Sequence, residues 1–104
     1  MTVEEHVAKA FASLADVSVR ELEATSEALT SRRHPLHAFA GVFHEVAWSR
    51  ESGSDPSIAR YHVRESAERA DEDFLERIAG AEAPFWSHVR DAALACRDER
   101  EKED

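Results

Sequence analysis

Within residues 56–79 the apolar side chains recur at helical spacing. Val63, Ala67, Ala70, Phe74 and Ile78 are separated by 4, 3, 4 and 4 positions, which places them on one face of an α-helix. Asp55 is a good N-cap, and Pro56 stands at the first helical position, where its missing N–H costs nothing. Gly80 follows the last periodic residue, where a left-handed residue commonly ends a helix. The pattern predicts one helix over 56–79, about 36 Å long at ~1.5 Å per residue, as the element around which the rest packs. Its opposite face carries His62, Glu65, Arg69, Glu72, Asp73 and Glu76. Glu65 to Arg69 and Arg69 to Asp73 are favourable i,i+4 pairs, and Glu72 to Glu76 opposes them. The seam is rich in alanine, which suits close approach by a neighbouring helix. Ile58 and Tyr61 fall off the seam, on the charged side. The preceding loop is their expected cover, and a partner chain is the alternative.

The remaining segments read as helices too. Thr2-Val-Glu-Glu5 is a capping box opening a helix to about Ala15, with Val3, Val7, Ala10, Phe11 and Leu14 on its apolar face. Ser18-Val-Arg-Glu21 is a second capping box, with Val17 and Leu22 spaced as a hydrophobic staple, and it opens a helix to about Thr30. The first apolar face also continues in register through Val17, Glu21 and Ala28, as one long helix would require. That arrangement buries Glu21 in an apolar stripe, which is costly, so a break near Ser18 is favoured. Pro35 opens the next helix, to about Glu51, whose wide apolar face (Leu36, Phe39, Ala40, Phe43, Val46, Ala47) makes it the most buried. Arg50 to Ser54 is the one clear loop, Glu-Ser-Gly-Ser before the Asp-Pro start of the central helix. Pro84 starts a final helix with Phe85, Val89, Ala92 or Ala93, and Cys96 on one face and Trp86 and Leu94 beside it. The nearly all-charged stretch 97–104 is expected to fray.

No run alternates apolar and polar residues long enough for a strand. Four or five helices with short connections give an all-α, up-and-down helical bundle, with one domain over 1–96. A length of 104 residues supports one modest core. The net charge of −9 argues against nucleic acid, which selects a basic footprint, and permits docking on a basic protein. Cys96 is the only cysteine, so no internal disulfide forms. The opening Met-Thr-Val-Glu-Glu lacks a basic and an apolar leader region, and no run approaches 18 apolar residues. A cytoplasmic chain with no membrane contact is expected.

Several motifs carry chemistry in principle. His37 and His44 share one edge of the third helix, beside Trp48, and are the candidate metal ligands. Trp48 on one helix, leading through Asp55-Pro56 into the long helix, resembles the layout of the short encapsulated ferritins over about half the chain. That resemblance implies a metal-binding bundle, but the family's ligand motif is absent at the matching positions, where Arg69 and Glu72 stand. His37-Ala-Phe-Ala-Gly41 resembles the phosphorylatable stretch of histidine phosphotransfer bundles, with Ala40 in place of the lysine and Arg32 and Arg33 as the nearby charges. Ser18-Val-Arg-Glu-Leu-Glu looks like a helix start of a helix-turn-helix, against which the net charge stands. Tyr61-x-x-x-Glu65 is similar to the signal of WXG-type secreted hairpins, whereas Trp48-Ser-Arg departs from their Trp-x-Gly turn.

Covalent catalysis has little support. Cys96 sits on an apolar face, where it behaves as a small hydrophobe, and His88 is two turns away. There is no nucleophile elbow and no phosphate-cradling glycine loop. The expected function is therefore non-enzymatic and cofactor-free: association with a second copy or with a basic protein partner. Trp48, Ile58, Tyr61 and Trp86 are the candidate anchors.

Overall fold

Each of the first two helices opens on the cap its sequence supplies. A computed structural model describes residues 2–31, 36–81 and 83–103, the side chains of 102 and 103 excepted. Thr2 accepts the Glu5 backbone N–H at 3.2 Å and opens α1 (Val3–Ala12). Ser18 accepts that of Glu21 at 3.1 Å and opens α2 (Val19–Leu29). The expected break thus falls between α1 and α2, and Glu21 is exposed. A 3-10 turn (His37–Phe39) leads into α3 (Ala40–Ser52), followed by α4 (Ser57–Glu68), α5 (Glu72–Ala79) and α6 (Pro84–Glu103). The fold is all-helical, with no strand among the described residues. None of their helices is long and apolar enough to cross a membrane.

Three expectations need correction. The helix over 56–79 is two helices, because Asp71 takes an extended conformation and its carboxylate accepts the Phe74 N–H at 2.8 Å. A cap that satisfies an orphan donor locally competes with helix continuation. Gly80 is right-handed at φ −83, and the left-handed glycine is instead Gly53 at φ 76, ending α3. The third helix opens with the 3-10 turn, and α begins only at Ala40. Its predicted start at Pro35, with Arg32, Arg33 and His34, lies outside the described residues.

Contacts divide the chain into two compact units, with the boundary inside α4. One comprises Met1–Ala15 and Val63–Asp104. Here α6 is the organising helix, with α1 and α5 both packed on it. Phe11 meets Phe85 edge-on with ring centroids 6.2 Å apart, and Phe85 meets Trp86 at 5.1 Å. Val3, Val7, Ala10 and Leu14 are buried opposite Phe85, Val89, Ala92, Ala93 and Cys96, as the spacing predicts. Burying one large side chain of this kind is worth about 1.5–3 kcal/mol. Arg97 pairs with Glu72 at 2.8 Å and the Arg100 guanidinium donates to the Glu68 carbonyl, so α6 stays helical to Glu103, past Cys96.

The other unit is Asp16–His62. There α2 packs on α3 and the 3-10 turn. Leu22 and Leu29 are buried with Leu36, Phe39, Val42, Phe43, Val46 and Ala47. Ser26 donates to the Ala40 carbonyl at 2.8 Å, and the Arg50 guanidinium donates to the Val17 carbonyl.

Candidate functional site: the exposed face of α4

α4 buries a narrow seam of Ala59, Val63 and Ala67. Ile58 and Tyr61 stand three positions apart, so they are neighbours on another face of the same helix. They are 73% and 67% exposed. No loop covers them, contrary to the first expectation, because the 53–56 connection is too short and polar to fold back as an apolar lid. Trp48 on α3 is 56% exposed. Among the described residues these three are the large apolar side chains left in water, and all belong to the Asp16–His62 unit.

Trp86, the fourth anticipated anchor, is 6% exposed and stacks edge-on to Phe85. Two helices pack on α6, which widens its buried face beyond the single stripe that spacing marks. Trp86 is core.

The charges around Ile58 and Tyr61 are matched within the chain. Asp55 lies 3.8 Å from Arg60, and Glu65 lies 2.8 Å from Arg69. Arg64 reaches both Glu68 at 3.3 Å and Glu4 at 2.6 Å. Exposed pairs of this kind contribute only about 0–1 kcal/mol each, so their effect here is to neutralise the face. Residues 16–62 hold five arginines against seven carboxylates, a formal −2, while the remainder holds eight basic against fifteen acidic residues, a formal −7.

The other candidate residues do not converge. His37 is exposed on the 3-10 turn and His44 is exposed on α3. His44 shares a shallow groove with Glu23 and Glu27 of α2. Among the described residues no three His, Cys, Asp or Glu side chains lie close enough to hold a metal ion. His62, expected on the solvated face, is half-buried with its ring 5.6 Å from that of Phe39. A groove of about 410 Å³ runs past Glu4, Arg64, Glu68, Cys96 and Arg100. Burial first, then the Glu68 and Glu99 carboxylates, push the Cys96 thiol up, against the weaker pull of Arg100 and Arg64. A raised thiol is a poor nucleophile at neutral pH.

Sequence reasoning missed the Arg64–Glu4 pair, which joins segments sixty positions apart with no local signal. No family model, curated protein or solved structure matches the chain.

Proposed function

We propose that this chain is a non-enzymatic association module that binds another protein chain through the Ile58–Tyr61 face of α4. One observation carries this reading: a large aliphatic and a large aromatic side chain stand side by side in water on a helix whose seam is otherwise buried. Aromatic residues that become desolvated at the centre of a contact supply much of the energy of protein association. The scaffold we propose behind it is an up-and-down bundle, resting on the short connections between successive helices. Two partner classes suit the chain: a second copy of itself, and a basic protein drawn by the −9 charge.

The test is a photo-crosslinking amino acid placed at Tyr61 in intact cells, with Ser87 on α6 as the comparison position. Adducts at 61 and none at 87 are expected. Adducts at neither position, or equally at both, overturn the reading.

A further inference from the structure

We infer that the partner for the Ile58–Tyr61 face is a second copy of this chain. The inference rests on the association reading above and adds the identity of the partner. Its basis is the charge state of the face. A basic partner needs carboxylates that are not already answered, and here Asp55, Glu65 and Glu68 each have an arginine of the same chain within 4 Å. The same matching removes the main obstacle to self-pairing. A two-fold contact sets each residue of a surface against the same surface, so an acidic face would repel itself. This face is neutral: the three carboxylates Asp55, Glu65 and Glu68 stand against the three arginines Arg60, Arg69 and Arg64.

A large aromatic side chain presents about 150–250 Å², so Tyr61 at 67% exposure offers about 100–170 Å² and Ile58 about 100 Å². A standard interface buries about 800 Å² per partner. The two anchors supply about a third of that or less, the share a cluster of central anchor residues takes in a larger contact, and the pairing we infer is reversible and concentration-dependent.

Sedimentation velocity on the purified chain, from about 5 µM to about 1 mM, tests this. The weight-average mass is expected to rise with concentration from 11.7 kDa toward twice that value. Ile58→Asp and Tyr61→Asp each move the midpoint at least tenfold higher, whereas Ser87→Asp, which adds the same charge elsewhere, moves it less than twofold. Aspartate at 58 lies in the first turn of α4, where negative charge is favourable, and circular dichroism verifies that both variants keep their helix content before the midpoints are compared. A mass fixed at 11.7 kDa throughout, or a midpoint indifferent to both α4 variants, overturns the inference. A fixed monomer that still yields adducts of foreign mass at position 61 in cells refutes the second copy alone. A fixed monomer with no adducts refutes the association reading as well.

Discussion

The Asp71 carboxylate accepts the Phe74 backbone N–H at 2.8 Å, and that bond marks where α4 gives way to α5. Glu72 and Asp73 occupy the first turn of the new helix, where negative charge meets the exposed N–H groups. Asp71→Ala removes the cap and is expected to cost about 1 kcal/mol, or about 4–8 °C in Tm for a domain near this size. Asp71→Asn retains the acceptor and loses a few tenths at most. Paired thermal melts of the two variants check this, and equal losses would remove the cap from the account.

The glycines carry opposite expectations. Gly53 adopts φ 76 at the end of α3, a conformation that costs an L-residue about 1–2 kcal/mol. Gly53→Ala should therefore destabilise, although nothing lies within 4 Å of the added carbon. Gly80 has φ −83, and the nearest atom to an added Cβ is the Arg77 carbonyl oxygen at 4.0 Å. Gly80→Ala should stabilise by about 0.4–1 kcal/mol through the unfolded chain. Urea midpoints of the two variants must move in opposite directions.

The two tryptophans are a built-in contrast. Trp86→Ala excavates the α6 core and is expected to cost about 3–5 kcal/mol, a large share of the ~5–15 kcal/mol that holds a domain of this kind. Trp48→Ala, at a surface position, should stay within about 0.5 kcal/mol. Acrylamide quenching of Trp48→Phe and Trp86→Phe variants checks the placement: the protein retaining only Trp48 should quench strongly, the other weakly.

Cys96 gives the chain a pH dependence at its alkaline end. Burial and the Glu68 and Glu99 carboxylates favour the protonated thiol, so the folded state holds this proton more tightly than the unfolded chain. Its contribution to stability is complete below the ordinary thiol range and is lost as pH rises through the raised value. Alkylation by iodoacetamide should be slow at pH 8 and accelerate at a higher pH than for a free thiol. Glu68→Gln removes one of the charges and should bring that acceleration to lower pH.

What local rules govern was legible in the sequence. Thr2 and Ser18 announce their helices because a cap is made by residues three apart. The apolar spacing of Val3, Val7 and Ala10 marks a face that is in fact buried. The Asp71 break was legible in principle, since an aspartate before two acidic residues is a helix start, but the uninterrupted seam from Val63 to Ile78 outweighed it. Both halves keep that seam toward the interior, so periodicity alone cannot distinguish one helix from two. Trp86 needed tertiary knowledge: only the arrival of α1 and α5 on one helix decides that its edge is inside. The exposure of Ile58 and Tyr61 was half legible, as their place off the seam can be read while what covers them cannot.

The unit that contains α6 is assembled from the two ends of the described chain, with Asp16–His62 inserted between them. During synthesis at ~5–20 residues per second, α1 leaves the ribosome about 4–14 s before Pro84 begins the helix it packs against. Asp16–His62 is contiguous, and α2 can close on α3 as soon as both have emerged. The order of birth is therefore not the order of completion. Of these helices α1 is made earliest and docked among the last, and until α6 emerges Val3, Val7 and Ala10 lack the surface that buries them.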